Sequence, residues 1–254
     1  MILGISDNSQ EQNRIAINKR IGVVTTVFLV SVLWPFLLYS LFHFKIVPSK
    51  PAFGADIQEP VAKVLTGSGI GTAFLISPTI LVTARHVVEN NNVGDQVDLI
   101  FEKSKNQYQT KAIIKFIAPS SIKSLNDQDQ VPLEYFLSDV AVLEVSEISD
   151  IEPMVLGESD IVQNLDEVIL IGYPNGDYSI TKGNINSDKY QGINLFKLDA
   201  TSNPGNSGGP CILKDDNTVI GILVGSSAIA QQGENVALKI SDVKNILNQA
   251  KVVY

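Results

Sequence analysis

Hydrophobic and polar positions divide the chain into two regions with different patterns. Residues 21–42, "IGVVTTVFLVSVLWPFLLYSLF", carry no charged side chain. After residue 60, short apolar and β-branched runs alternate with clusters of Gly, Pro, Asn or Asp. A long uncharged stretch is typical of a membrane-spanning helix, and short runs between turn residues are typical of a β-sandwich or barrel. The pattern therefore predicts one transmembrane helix followed by an all-β domain.

The runs that predict strands number ten, and one helix follows them. The strand-like runs are "TAFLI" (72–76), "TILVT" (79–83), "QVDLIF" (96–101), "AIIKFI" (112–117), "VAVLEV" (140–145), "EVILI" (167–171), "INLFKL" (193–198), "CIL" (211–213), "VIGILV" (219–224) and "NVALKI" (235–240). Beyond them, Val243, Ile246, Leu247 and Ala250 fall on one face of a helix that we expect Ser241 to cap. The polar stretches 118–138 and 173–192 are long enough to be either functional or simply solvated loops.

Residues 21–42 have the length of a membrane anchor, since a helix needs about 20 residues to cross the hydrocarbon core. Lys19 and Arg20 directly precede them, which favours a cytoplasmic tail at 1–20. The prolines in 43–59 indicate an extended linker. We therefore expect a single-pass membrane protein whose domain at 60–254 is periplasmic or extracellular. A cleaved signal peptide is the alternative, although its apolar core would be unusually long.

Composition narrows the chemistry of this domain. The net charge is −8, and no Lys/Arg cluster forms a basic patch, so we expect no nucleic-acid partner. Cys211 is the sole cysteine, so an intramolecular disulfide is excluded, and its apolar neighbours predict a buried thiol. Only His43 and His86 exist, which excludes a multi-histidine metal site. We expect neither a metal nor a cofactor.

One serine lies in an unusually permissive backbone, "TSNPGNSGGP" at 201–210. A serine hydroxyl becomes a nucleophile only beside a base, and the oxyanion that its attack creates needs converging backbone N–H groups. Glycines at 205, 208 and 209 remove side chains that would obstruct this arrangement. Ser207 is thus a candidate nucleophile, with the amides of Gly205 and Ser207 as candidate oxyanion donors. An ordinary Gly/Pro-rich surface turn would look the same in isolation.

A base and its orienting acid are also available. His86, in "ILVTARHVV" directly after a strand, is the one imidazole outside the predicted anchor and its flank. Asp139 opens the apolar run "SDVAVLEV", where a carboxylate entering a core needs a partner. We select Asp139 over Asp127 and Asp129, because those two lie in a polar loop where solvation accounts for them.

In the order His, Asp, Ser, the segments "TARHVV", "SDVAVLEV" and "GNSGGP" resemble the trypsin/chymotrypsin-like serine proteases. The stretches "GSGIGTAFLISPTILVTARHVV" (67–88) and "DATSNPGNSGGP" (199–210) resemble the disulfide-free bacterial Deg/HtrA type, and "IGYPNGDYSITKGNI" (171–185) and "NVALKISDV" (235–243) are weaker matches. The resemblance implies two antiparallel six-stranded β-barrels, with a site in the cleft between them. It also implies His86 as general base, Asp139 as its orienter, Ser207 as nucleophile, and the Gly205 and Ser207 amides as oxyanion hole.

The same resemblance places a primary specificity pocket and reveals departures from the family. The pocket floor falls near Thr201 and Ser202, and its wall at Val224, Gly225 and Ser226. None of these is acidic, so we expect small or medium uncharged side chains before the scissile bond rather than Lys or Arg. A preference for Glu stays open through the two hydroxyls at the pocket floor, although no second histidine is available to help. The Deg/HtrA proteins usually carry a PDZ domain after the protease domain, and we expect none in this chain.

Three functions remain open from the sequence. The first is a membrane-anchored serine endopeptidase that acts on protein or peptide substrates outside the cytoplasm, with residues 21–42 in the bilayer. The second is a catalytically inactive trypsin-like domain that binds or senses at the membrane. The third is an esterase, although "GNSGGP" differs from the Gly-x-Ser-x-Gly elbow of most such hydrolases.

Overall fold

The computed structural model describes residues 56–120, 132–225 and 235–254, together with Arg14 and Asn18. Its contacts divide the chain into two units, Met1–Lys50 and Pro51–Tyr254. No helix among the described residues is long and apolar enough to cross a membrane. The span predicted at 21–42 lies outside those residues, as do the tail at 1–20 apart from Arg14 and Asn18, and most of the linker at 43–59.

The first half of the second unit is a closed antiparallel barrel of six strands. In chain order they are β1 (Val61–Thr66), β2 (Gly69–Ser77), β3 (Ile80–Thr83), β4 (Gln96–Phe101), β5 (Tyr108–Ile117) and β6 (Ala141–Glu144). Around the barrel the order is β1-β2-β3-β6-β5-β4, and β1 closes it by pairing with β4. Helix α1 (Arg85–Val88) follows β3, and a 3₁₀ helix (Leu133–Ser138) precedes β6.

The second half repeats this architecture. Its strands are β7 (Glu167–Gly172), β8 (Ser179–Ser187), β9 (Leu195–Leu198), β10 (Pro210–Leu213), β11 (Thr218–Gly225) and β12 (Asn235–Lys239). They close in the order β10-β11-β12-β9-β8-β7. Short 3₁₀ turns lie at Ser159–Ile161 and Pro174–Gly176, and helix α2 (Ile240–Gln249) follows β12 directly. The predicted all-β fold of two six-stranded barrels with a terminal helix is confirmed.

Alternating side chains fill each barrel and the space between them. In β4, Val97, Leu99 and Phe101 point inward and are buried, while Gln96 and Asp98 are exposed, as a two-residue period requires. One apolar cluster fills the first barrel and a second fills the other. A third cluster takes residues from both barrels, so the two halves share a continuous apolar core.

Two strands and one cap differ from the sequence-based expectation. β1 was not predicted, and β8 lies within the stretch 173–192 that was expected to be a loop. Because β8 ("SITKGNINS") has mostly half-buried or exposed positions, it lacks the apolar run by which the predicted strands were recognised. The predicted cap was also wrong: α2 begins at Ile240, with Lys239 at the N-cap, and Ser241 lies inside the helix. The backbone N–H of Ser241 instead donates to Ser159 Oγ. Cys211 is buried, as predicted.

Candidate active site

The pairing of β3 with β6 brings His86 and Asp139 together. Thr83 at the end of β3 pairs with Ala141 at the start of β6. Helix α1, which carries His86, follows Thr83, and Asp139 lies between the 3₁₀ helix and Ala141. The His86 Nδ1 atom lies 2.6 Å from Asp139 Oδ2. The backbone N–H of His86 donates to the other oxygen, Oδ1, at 2.9 Å. Both carboxylate oxygens of Asp139 therefore face the same histidine.

This contact determines which histidine nitrogen is available. Asp139 is fully buried, and an ionised carboxylate only accepts hydrogen bonds, so Nδ1 carries the proton and Nε2 is left to accept one. The His86 side chain keeps 26% of its surface exposed, and its ring meets the ring of Phe136 edge-on at 6.5 Å. Asp139 is thus enclosed in the core, while part of the His86 ring remains exposed.

The pKa of His86 lies above its ordinary value of 6.5. Burial of the ring acts to lower the pKa, because it disfavours the imidazolium. The negative charge of Asp139 and its hydrogen bond act in the opposite direction and raise the pKa. Glu89 raises it further, and Arg85 opposes this. Asp139 therefore stabilises the protonated imidazole.

Ser207 lies between β9 and β10 in the second barrel, on a loop that the first barrel holds. Thr72 of β2 donates its backbone N–H to the Ser207 carbonyl at 2.9 Å and its hydroxyl to the Gly205 carbonyl at 2.7 Å. A Cβ added to Gly208 would lie 2.8 Å from the backbone nitrogen of Ala84. Since Ala84 is two residues before His86, this packing places the Ser207 loop against the segment that carries the imidazole.

Between Pro204 and Pro210, two backbone amides have no partner among the described residues. The N–H groups of Asn206, Gly208 and Gly209 each donate to a backbone carbonyl, at 2.8–3.1 Å. The N–H groups of Gly205 and Ser207 donate to none in the described part of the chain. They are the two amides that the sequence selected as candidate oxyanion donors.

The direction of each free amide is fixed through its own peptide plane. The carbonyl of Pro204 accepts from Asn175 N–H at 2.8 Å, and the carbonyl of Asn206 accepts from Gly209 N–H at 2.9 Å. A trans peptide is planar, so its N–H points opposite to its C=O. The hydrogen bonds to these two carbonyls therefore fix the directions of the Gly205 and Ser207 N–H groups. No free energy is then needed to reorient these groups when a ligand binds.

Gly205 is required by the local backbone. Its φ is +103°, a region that side chains rarely adopt, and an added Cβ would overlap the carbonyl oxygen of Tyr173. No other residue type fits this position without moving the 173–178 turn that holds Pro204.

The predicted pocket residues lie on neighbouring segments of the second barrel. Thr201 is exposed, and its carbonyl accepts from the hydroxyl of Thr181 at 2.9 Å. Ser202 is buried, with its Oγ 3.4 Å from Asn206 Nδ2. Val224 and Gly225 are buried at the end of β11. Ser226 lies outside the described residues.

Sequence reasoning missed several residues that hold these groups. Asn235 is buried and donates to the carbonyl of Ala200 at 2.6 Å, directly before the predicted pocket floor. Thr72 and Arg85 were not singled out either. Thr72 lies in an apolar run and Arg85 reads as a surface cation, so neither carried a signal. Asn175 follows proline and precedes glycine, which predicts a turn but not its contact with Pro204.

Replacing Asp139 with Asn tests the electrostatics of the pair. Burial is the largest influence on this pKa and lowers it, so removal of the carboxylate should drop the His86 pKa below 6.5. NMR titration of the histidine Cε1 protons measures this, with His86→Ala to assign the signal. Asp150→Asn, which removes the same charge at an exposed position, should leave the His86 pKa in place. An unchanged or higher pKa in the Asp139 variant would contradict the assigned cause.

Known proteins with the same features were found by sequence and by structure. The family model for the trypsin-like peptidase domain matches residues 71–222. The serine protease Do-like HtrA of Bacillus subtilis is 32% identical over 220 residues, which are 78% of this chain and 42% of that protein. The magnetosome formation protease MamE of Paramagnetospirillum magneticum is 41% identical over 92 residues, 33% of this chain and 12% of that protein.

Structural comparison agrees on the fold. A solved HtrA-type protease, AlgW with a tripeptide, superposes with a TM-score of 0.56 at 24% identity, covering 76% of this chain and 60% of that one. The chain spans less than half the length of the two curated relatives. The family match nevertheless extends over more than half of this chain, from within β2 to within β11. The chain belongs to the trypsin-like serine proteases of the Deg/HtrA type.

Proposed function

We propose that this protein is a membrane-anchored serine endopeptidase that cleaves protein or peptide substrates outside the cytoplasm. Ser207 is its nucleophile, His86 the general base, and Asp139 the residue that orients His86. The observation that carries this proposal is the pair of aimed, unpartnered amides at Gly205 and Ser207. Both residues are half-buried, and amides away from water are nearly always paired, so we infer that a substrate oxygen is the partner of these two.

Acylation uses the nitrogen that Asp139 leaves available. Ser207 Oγ attacks the carbonyl carbon of the scissile bond while its proton passes to His86 Nε2. The carbonyl π-electrons move to oxygen, and this oxyanion accepts hydrogen bonds from the N–H groups of Gly205 and Ser207. Asp139 stabilises the imidazolium that forms, consistent with the raised pKa of His86.

Departure of the amine completes acylation, and water then takes part in deacylation. Collapse of the tetrahedral intermediate breaks the C–N bond, and His86 returns its proton to the departing amine. Water then attacks the acyl-enzyme carbonyl and gives a proton to His86. The second collapse breaks the bond from carbon to Ser207 Oγ, His86 returns the proton to Oγ, and the acid is released.

The proposed cellular arrangement rests on the sequence and on the relatives. Residues 21–42 anchor the chain in the bilayer, residues 1–20 face the cytoplasm, 43–59 link, and 60–254 form the protease domain. The probable periplasmic serine endoprotease DegP-like of Pseudomonas savastanoi pv. phaseolicola, 29% identical over 192 residues, supports a location outside the cytoplasm.

Replacing Ser207 with Ala should abolish catalysis, lowering turnover of an unfolded protein substrate by about 10³-fold or more. A fluorophosphonate probe should label the parent and leave the variant unlabelled, because only an activated serine reacts. Ser149→Ala, at an exposed position, serves as the matched control. Equal turnover by parent and variant would remove the proposal, and an unlabelled parent would favour the inactive binding module. A parent that hydrolyses esters but no peptide would favour the esterase.

Replacing Gly205 with Ala tests the oxyanion hole. The added methyl group collides with Tyr173 and displaces the amide, so kcat should fall by about 10²- to 10³-fold, as for loss of one oxyanion donor. Gly94→Ala is the matched control, because Gly94 has φ of +99° with open space around it. That variant carries the same backbone strain and should keep kcat within about threefold. Similar losses in both would show that the free amide is not used.

Substrate preference follows from the pocket residues Thr201, Ser202, Val224, Gly225 and Ser226, none of which is acidic. A peptide library should be cleaved after small or medium uncharged side chains, because a Lys or Arg side chain would enter without a carboxylate partner. Clear preference for Lys or Arg in the profile would contradict this assignment of the pocket.

A further inference from the structure

Arg85 is a buried cation directly beside the candidate base. It is the first residue of α1, precedes His86, and is 4% exposed. It forms no ion pair with a carboxylate of the described residues. Burying a charge without a counter-ion is costly unless hydrogen bonds compensate. The contacts of its guanidinium therefore indicate what the residue holds in place.

The contacts of the guanidinium among the described residues are with the 3₁₀ helix Leu133–Ser138, whose C-cap residue is Asp139. Arg85 Nη2 donates to the Tyr135 carbonyl at 3.0 Å, and Nη1 lies 3.2 Å from Ser138 Oγ and 3.4 Å from the Ser138 carbonyl. The guanidinium also lies over the Tyr135 ring, 4.2 Å from its centroid. The last carbonyls of a helix lack internal partners, and a cation there satisfies them.

A second contact ties the same two elements from the other end of α1. The Tyr135 hydroxyl donates to Glu89 Oε2 at 2.6 Å, and Glu89 is the residue at the C-cap of α1. Burial raises the pKa of Tyr135 to about 12, with the bond to Glu89 acting in the same direction, so the hydroxyl remains a donor. Arg85 and Glu89, at the two ends of the helix that carries His86, thus both contact Tyr135.

We propose that Arg85 is a positioning residue for the reaction: it fixes the end of the 3₁₀ helix relative to α1, and thereby keeps the Asp139 carboxylate on His86 Nδ1. This inference rests on the proposed function. Arg85 acts through Asp139 and does not touch the reacting atoms. Its planar fork reaches two backbone carbonyls and a hydroxyl at once, which a lysine ammonium cannot reproduce with the same geometry.

A positioning role and a purely electrostatic role of Arg85 predict opposite changes in the pKa of His86. The groups that face its ring are Asp139 and Glu89, which raise the pKa, and Arg85, which lowers it. If Arg85 acted through charge alone, its removal would raise the His86 pKa. If it holds Asp139 in place, its removal loosens the strongest stabiliser of the imidazolium and lowers the pKa. The sign of the shift separates the two roles.

The test compares Arg85→Met and Arg85→Lys with the parent chain, using a fluorogenic peptide and the fluorophosphonate probe. We expect Arg85→Met to lower kcat by about 10- to 100-fold with KM changed less than about threefold, because small misplacement of a catalytic group costs this much. The acid limb of the kcat/KM profile should move to lower pH. The kcat of Arg85→Lys should lie between the values of the parent and of Arg85→Met. Lys111→Met, which removes an exposed positive charge, should behave as the parent.

The same substitution in an Asp139→Asn background gives the decisive comparison. If Arg85 acts through Asp139, Arg85→Met should lower kcat less than about threefold once the carboxylate is gone, because residues that act as a unit are not additive. Equal losses in both backgrounds, parent-like kcat in Arg85→Met, or an acid limb moved to higher pH would each overturn the proposal.

Folding and activity are separated in the same experiment. Thermal melts of each variant identify those that fold, and Arg85→Lys carries the comparison if Arg85→Met does not. Failure of both to fold would make Arg85 a folding determinant and overturn the positioning role. A parent chain that does not react with the probe would contradict the proposed function. A reactive parent with equally reactive variants would contradict only the positioning role of Arg85.

Discussion

Thr72 connects the two barrels at the point where the site forms, and the rest of the arrangement depends on its hydrogen bonds. It is fully buried in β2. Its backbone holds the Ser207 carbonyl and accepts the Thr83 hydroxyl at 2.7 Å, while its own hydroxyl holds the Gly205 carbonyl and accepts Tyr173 N–H at 3.2 Å. One residue of the first barrel therefore holds the loop of the second barrel that carries Ser207. These bonds lie away from water, where each lost partner leaves a costly unpaired group.

Each component of the candidate site is placed by one barrel and supported by another element. β3 and β6 bring His86 to Asp139, and Arg85 ties the segment before β6 to α1. The 173–178 turn holds the Pro204 carbonyl and so aims the Gly205 amide. Such preorganisation is the main source of electrostatic catalysis, because the donors need not reorganise as charge develops. The closed barrels provide the rigid base for this geometry.

Much of the fold and of the site was predictable from local pattern. Strands with strong apolar alternation, such as β4, and strands that are continuous apolar runs, such as β11, were identified. His86 and Asp139 were identified because one is a scarce imidazole and the other an acid that enters a core, and the structure brings them together. β8 was missed because a polar strand at the barrel surface has no periodic signal. Thr72 and Arg85 were missed because their roles lie in contacts between residues far apart along the chain, which hydropathy does not encode.

A crystal structure of the fluorophosphonate adduct would test the central claim most directly. The phosphonyl oxygen stands in for the oxyanion of the tetrahedral intermediate. The account predicts a bond from Ser207 Oγ to phosphorus and this oxygen within about 3.1 Å of both the Gly205 and Ser207 nitrogens. An adduct whose phosphonyl oxygen faces solvent, or in which the Gly205 N–H is turned away from it, would contradict the account.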